Sequence, residues 1–275
     1  MTVKALLNTL RRSLSPYDAQ LILESLLDCT RTDLILRADE ELSDEIVSQA
    51  VNMKEQRDRG EPIQYLIGKW GFFGREYIVG KGVLIPRDDT EVLVAECLRL
   101  IPEDKPMKAL DLCAGSGIIA ITVKKERPLC TVFAVEKSDQ AFSYLLQNIE
   151  KHQADVSCIL SDLKDCADSF SDGSLDLIVS NPPYIRSSDL PTLQKEVQFE
   201  PLLALDGGES GYDFYENIIS LYQRKLRRGG YFAFEIGEDQ SGYIAKLLTN
   251  AGFEDIHLYN DIQNIPRAIT AKKSL

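Results

Sequence analysis

Histidine is scarce in this chain: His152 and His257 are the only two in 275 residues, too few for a histidine-rich metal centre. The six cysteines, Cys29, Cys97, Cys113, Cys130, Cys158 and Cys166, form no C-x-x-C pair and no cluster with histidine. That excludes the usual zinc spacings and a disulfide framework, and it fits reduced thiols in a cytoplasmic protein. No metal is expected. No apolar run approaches the roughly 20 residues that cross a bilayer, and residues 1–20 set arginines inside an amphipathic pattern instead of the unbroken apolar stretch of a secretory signal. No membrane partner is expected. Positive charge is also short: 31 Lys and Arg face 43 Asp and Glu, a net charge of −12. Proteins that grip phosphates carry a basic face, so a stable nucleic-acid partner is disfavoured and a protein or small-molecule substrate is favoured. With 44% hydrophobic and 27% charged residues, the chain is neither disordered nor fibrous. Its length predicts one large domain and one small one, and a monomer is expected.

Three regions differ in texture. Residues 1–67 read as helices: Leu6, Leu7, Leu10 and Leu14 recur at helical spacing. Ser15-Pro16-Tyr17-Asp18 is a helix start with a serine cap, proline at the first helical position and an acid in the first turn. Ser43, Asp44 and Glu45 open another helix, which Gly60 is placed to end. Most of these leucines need do no more than pack, but a helical bundle ahead of a catalytic domain is commonly a recognition unit. Residues 68–82 are rich in glycine and β-formers, Lys69-Trp70-Gly71-Phe72-Phe73-Gly74 and Tyr77-Ile78-Val79, and predict a β-hairpin linker. Residues 83–275 alternate short apolar runs with helical stretches. Strands are predicted at Ala109–Leu112, Thr131–Val135, Ser157–Leu160, Leu175–Ser180, Tyr231–Ile236, Asp255–Leu258 and Arg267–Thr270. Such alternation implies a parallel sheet covered on both faces, with ligands at the carboxyl ends of the strands.

Asp111-Leu112-Cys113-Ala114-Gly115-Ser116-Gly117 is a strand running into a tight glycine turn and a helix start. Gly115 and Gly117 let the backbone turn sharply and approach a ligand closely. Glu136 closes the next strand, where an acid accepts the hydroxyls of a ribose. The loop points to an adenosine-containing cofactor without saying which. Gly115-x-Gly117-x-x-Ala120 also satisfies the dinucleotide fingerprint of a dehydrogenase, and an unliganded glycine turn is the bland alternative.

Asn181-Pro182-Pro183-Tyr184 is more specific. It follows the apolar strand Leu175–Ser180, and two prolines must stop that strand at its carboxyl edge. An amide NH2 is a poor nucleophile because its lone pair is delocalised, so a site that accepts both of its N–H groups can aim the nitrogen. The Asn181 side-chain oxygen accepts one. The Pro182 carbonyl, held extended by Pro183, accepts the other. Neither proline offers a competing N–H, and the Tyr184 ring can pack on a planar substrate. A plain strand-ending turn explains the prolines alone. Together with the glycine loop, however, the tetrapeptide points to methyl transfer onto a planar NH2, with Asn181, Pro182, Pro183 and Tyr184 as the catalytic set.

At these residues the chain resembles the release-factor glutamine methyltransferases. The resemblance spans nearly the whole length. It includes Glu61-Pro62-Ile63-Gln64-Tyr65-Leu66-Ile67-Gly68, Ile85-Pro86-Arg87-Asp88-Asp89-Thr90-Glu91, Glu200-Pro201, Ala204-Leu205-Asp206-Gly207-Gly208 and Gly229-Gly230-Tyr231 to Glu235-Ile236-Gly237. It implies a Rossmann-like class I S-adenosylmethionine methyltransferase fold behind a small all-α domain. It further implies that S-adenosylmethionine donates the methyl, leaving S-adenosylhomocysteine, and that the acceptor is the glutamine of the Gly-Gly-Gln loop of class 1 peptide chain release factors. By the same resemblance Asp111, Cys113, Ala114, Gly115, Ser116, Gly117, Glu136, Asp162, Leu163 and Asn181 surround the cofactor, with Asp162 facing the adenine amino group, and the N-terminal helices dock the release factor. The tetrapeptide is shared with adenine and guanine amino-methyltransferases, which makes a nucleic-acid substrate the alternative. The chain departs from the family pattern at Cys113, usually glycine, at Ala114, often threonine, at Leu163, often aromatic, and across Asp261–Arg267, usually glycine-containing. Altered packing is expected at Cys113 and Ala114, not lost binding.

Overall fold

Ser15 Oγ accepts the Asp18 N–H at 3.0 Å with Pro16 at the first helical position, so the second helix starts where its cap chemistry places it. The computed structural model describes residues 1–275, which form two units. The smaller comprises Met1–Lys69, Val79–Lys81 and Leu193–Phe199; the larger comprises Trp70–Ile78, Gly82–Thr192 and Glu200–Leu275.

The smaller unit is helical: α1 (Val3–Leu10), α2 (Pro16–Leu27), α3 (Arg31–Leu36), α4 (Asp44–Asp58) and α5 (Ile63–Ile67). Leu6, Leu10, Leu14, Ala19, Ile22, Leu23 and Ala50 form its core, so the leucine periodicity of the sequence is spent on internal packing. Gly60 ends the α4 region at φ +99°, its N–H bonded to the Arg57 carbonyl. The short α3 has no apolar stripe to announce it. A capping box holds it, the Thr30 and Asp33 side chains each accepting the other's backbone N–H.

A two-stranded sheet follows, β1 (Lys69–Phe72) and β2 (Arg75–Ile78), all but Lys69 in the larger unit and turned by Phe73 and Gly74, both at positive φ. Such a two-residue turn matches the twist of a hairpin. There follow α6 (Thr90–Leu100), β3 (Lys108–Leu112), α7 (Ile118–Glu126), β4 (Thr131–Glu136), α8 (Asp139–His152), β5 (Val156–Leu160), α9 (Leu163–Cys166) and β6 (Leu175–Ser180). The chain ends with α10 (Leu202–Leu205), α11 (Asp213–Tyr222), β7 (Leu226–Glu235), α12 (Ser241–Asn250), β8 (Phe253–Asn260) and β9 (Pro266–Lys273).

One sheet runs in the order β5-β4-β3-β6-β7-β9-β8. The strands from β5 to β7 are mutually parallel, whereas β9 is antiparallel to both β7 and β8. This corrects the expectation of an all-parallel sheet. Only residues 261–265 join β8 to β9, too few for the crossover that parallel neighbours need. Side chains along the central strands alternate between two cores, apart from an irregularity in β6 between Leu175 and Leu177. Ala109, Ala134, Leu177, Val179 and Ala233 meet α6, α7 and α8 on one face. Leu110, Leu112, Ile178, Phe232 and Phe234 meet α9, α11 and α12 on the other. The strand order reverses between β3 and β6, and the carboxyl ends of those neighbours border the crevice in which open sheets of this kind bind ligands. Ser180 Oγ donates to the Leu112 carbonyl at 2.6 Å, tying the two ends together.

Candidate active site

The loop after β3 is shaped by its own backbone. The Ala114 N–H donates to the Val135 carbonyl at 3.0 Å and the Gly117 N–H to the Ala114 carbonyl at 2.8 Å. Gly117 sits at φ +85°, where a Cβ would also meet Leu145 Cδ1 at 2.4 Å, so both conformation and space demand glycine. Glu136, at the end of β4, accepts the Gly115 N–H through Oε2 and the Ser138 N–H through Oε1, both at 2.8 Å. Each oxygen keeps a further lone pair for a ligand. Asp162 accepts the Lys164 N–H at 2.9 Å and pairs with Lys137 Nζ at 2.8 Å. These partners hold its carboxyl below the usual carboxylate range against the opposing effect of burial. Asp111 lies under the loop. Its Oδ2 accepts the Ala120 N–H at 3.1 Å, its Oδ1 has no hydrogen-bond partner, and burial pushes its carboxyl well above the usual range.

A cavity of about 260 Å³ within the larger unit joins this loop to the segment after β6. Of the residues singled out by sequence, Cys113, Ala114, Gly115, Ser116, Glu136, Asp162, Leu163, Asn181 and Pro183 line it. Asp111, Gly117, Pro182 and Tyr184 do not. The Tyr184 hydroxyl reaches Glu235 Oε1 at 3.4 Å, and its carbonyl accepts Gln240 Nε2 at 3.0 Å. Asn181 Nδ2 donates to Thr90 Oγ1 at 3.2 Å, and Thr90 Oγ1 donates to Glu235 Oε2 at 2.5 Å. Burial pushes Glu235 up to about 7.

The segments flanking the tetrapeptide assemble around it. Glu200 accepts the Ile85 N–H at 3.0 Å and pairs with Arg87, which lines the cavity. Burial raises the Glu200 carboxyl and the Arg87 charge opposes it. The Ile185 N–H donates to the Leu205 carbonyl at 3.0 Å and the Gly207 N–H to the Ile185 carbonyl at 2.8 Å. A Cβ on Gly207 would stand 2.6 Å from Tyr184 Cα, so only glycine lets this segment lie against the tetrapeptide's backbone. Phe214, Asp213 and Asn217 of α11 complete one wall of the cavity. Sequence reasoning missed them because no spacing connects α11 to β3 or β6.

Two family models match the chain, a PrmC N-terminal domain over residues 3–68 and a methyltransferase small domain over residues 88–197. A release factor glutamine methyltransferase of Aquifex aeolicus is 33% identical, over 93% of this chain and 90% of its own. Those of Geobacter sulfurreducens and Clostridium botulinum are 36% and 37% identical, over 92% and 93% of this chain and 87% and 91% of theirs. The chain belongs to the release factor glutamine methyltransferase family. It is therefore an enzyme, a methyltransferase. Its fold is also that of a methyltransferase from Pyrococcus furiosus, with a TM-score of 0.54 at 18% identity over 74% of this chain and 92% of that one. The catalytic domain of hMettl16, solved with an RNA hairpin, has a TM-score of 0.61 at 14% identity over 94% and 93% of the two chains. At such identities the likeness is one of fold alone.

Three of the departures from the release factor glutamine methyltransferase pattern now have a physical setting. Cys113 sits at φ +62°, a left-handed conformation that the family's usual glycine adopts without strain. Leu163 is buried against the cavity, so an apolar wall persists where an aromatic is frequent. In the Asp261–Arg267 segment, Asp261 accepts the Gln263 and Ile265 N–H groups and pairs with Arg267 at 2.9 Å, while Asn264 supplies the positive φ at +65°. Nothing in the structure explains Ala114.

Proposed function

We propose that this enzyme transfers a methyl group from S-adenosylmethionine to the side-chain amide nitrogen, N5, of the glutamine in the Gly-Gly-Gln loop of class 1 peptide chain release factors. The observation that carries the reading is the shared cavity: Asn181 and Pro183 at the carboxyl end of β6 line the same space as Gly115, Glu136 and Asp162. The names of the relatives support the substrate, and the net charge of −12 argues against a polyanionic one.

The residues present fit the cofactor. Glu136 keeps lone pairs toward the cavity for a ribose diol. Asp162 does the same for an exocyclic amine, with the apolar Leu163 beside it for the base. The chemistry the cofactor supplies is a methyl group on a positively charged sulfur, with S-adenosylhomocysteine as the product. What the chain supplies is placement. Asn181 Oδ1 and the Pro182 carbonyl accept the two N–H groups of the glutamine amide, which aims the nitrogen; the proton the nitrogen loses on methylation passes to water. Pro183 excludes a competing donor, and Tyr184 holds the segment through Glu235 and Gln240. Most of the rate comes from this positioning in a desolvated cleft. Asp111, Cys113, Ala114, Ser116 and Gly117 hold the cofactor loop in shape.

Incubating the protein with S-adenosylmethionine and an unmodified class 1 release factor tests this, with the Gly-Gly-Gln peptide read by mass spectrometry. One added methyl on the glutamine is expected. Asn181→Ala should lower turnover by about a hundredfold, the cost of losing one positioning contact in such a site, and leave cofactor affinity nearly unchanged. Equal losses in both would remove Asn181 from the reaction. Cofactor binding with no methyl gain would retain the fold and reopen the substrate, beginning with nucleic acid.

A further inference from the structure

An asparagine can serve as an acceptor only if its amide is turned the right way, and a 180° flip exchanges oxygen for NH2 at almost no steric cost. What decides the flip here lies behind the cavity. Glu235 is 2% exposed and Thr90 is fully buried. Glu235 takes hydrogen bonds on both oxygens, from Thr90 on Oε2 and from Tyr184 on Oε1. Above about pH 7 Glu235 is ionised and has no proton of its own to give, so the single hydroxyl proton of Thr90 is committed to it. Only lone pairs of Thr90 Oγ1 then face Asn181, 3.2 Å away. The NH2 edge of Asn181 satisfies them. The opposite orientation would set oxygen against oxygen with no proton between.

We propose that Thr90 and Glu235 are a positioning pair that fixes the amide of Asn181, turning its NH2 inward and its oxygen toward the substrate. The inference rests on the reading that Asn181 accepts an N–H of the substrate amide, but its structural half, the direction of the hydrogen-bond chain, stands independently. The two residues come from distant parts of the chain. Thr90 opens α6 and Glu235 closes β7, so the chain of proton donors runs Asn181 to Thr90 to Glu235 across three elements. Thr90 is also set in the turn whose Asp89 pairs with Arg267 at 3.2 Å, which anchors that end of α6 beside β9.

Thr90→Val keeps the volume and removes both donor and acceptor, Thr90→Ser keeps the hydroxyl, and Glu235→Gln replaces the committed acceptor with a group that can also donate. In the assay above, Thr90→Val and Glu235→Gln should each lower kcat by about tenfold, the size expected for losing one hydrogen bond that orients a reacting group. KM for the release factor and the dissociation constant of S-adenosylhomocysteine should hold, and Thr90→Ser should recover most of the turnover. Undiminished kcat in Thr90→Val, or a loss that falls equally on cofactor affinity, would overturn the pair. The second readout needs no turnover. In the full-length wild-type protein, the side-chain NH2 signals of Asn181 in an ¹⁵N spectrum, assigned by their loss in Asn181→Ala, should exchange slowly with water and become fast in Thr90→Val. Wild-type signals exchanging as fast as those of surface asparagines would overturn the pair even if Thr90→Val and Glu235→Gln misfolded. If the wild type methylates no release factor while its Asn181 signals are protected, the substrate reading fails and the positioning pair stands.

Discussion

Glu235 sits at the end of β7 with its carboxyl buried, and burial is the largest cause of its rise to about 7. Thr90 and Tyr184 donate to it and oppose that rise. From the neighbouring elements Asp89 adds to the rise, Arg267 opposes it, and the Tyr215 hydroxyl bonds the Glu235 main-chain carbonyl at 2.8 Å. The sign follows directly. Above about 7 the group is an acceptor on both oxygens; below it a proton occupies one oxygen, and the hydroxyl of Thr90 is free to turn toward Asn181. Turnover should therefore fall as pH drops through about 7, and Glu235→Gln should lie low and flat over the same range. A wild-type profile without an inflection there would show that Glu235 does not change charge during catalysis. At this scale the sequence was half legible. The place of Asn181 at the cavity was readable because two prolines follow it immediately. Its dependence on residues 90 and 235 was not, because hydrogen bonds between α6, β6 and β7 leave no periodicity.

Elements were legible where chemistry is local. Ser15 and Ser43 cap helices as their neighbours imply, and the strand from Leu175 to Ser180 has the bounds its apolar run and the prolines set. The antiparallel β9 was not legible: direction depends on how the chain returns, and an interior strand with four buried residues reads like its parallel neighbours. Left-handed helix ends escape notice when the residue is not glycine. Gln153 ends α8 at φ +49° and ψ +47°, exposed, with its N–H bonded to the Glu150 carbonyl. The left-handed conformation costs a non-glycine residue about 1–2 kcal/mol. Glycine gives back about 0.5–1 kcal/mol through its freer unfolded chain. Relief wins, so Gln153→Gly should stabilise the protein by about 0.5–1 kcal/mol, read as a higher urea midpoint at unchanged slope. A lower midpoint would mean that the Gln153 side chain contributes more than its exposure implies.

For the whole molecule the open question is which adenosine-bearing ligand the glycine loop accepts, since Gly115-x-Gly117-x-x-Ala120 fits a dinucleotide as well. A ligand that binds only the folded state stabilises it by about 2.7 kcal/mol at a hundred times its dissociation constant. The larger unit has about 200 residues, for which each kcal/mol moves the melting temperature by about 2–4 °C. Saturating S-adenosylhomocysteine should thus raise Tm by about 5–10 °C, and NAD should leave it where it was. Asn181→Ala should keep most of the rise, because Asn181, although it borders the cofactor, is assigned its hydrogen bond to the substrate amide. Glu136→Ala should lose most of it. That variant also strips acceptors from the Gly115 and Ser138 N–H groups, so its own baseline will be lower and only the ligand-induced increment is diagnostic. A rise with NAD and none with S-adenosylhomocysteine would contradict the cofactor assignment despite family membership. A rise with S-adenosylhomocysteine that survives Glu136→Ala would move the ribose contact elsewhere in the cavity.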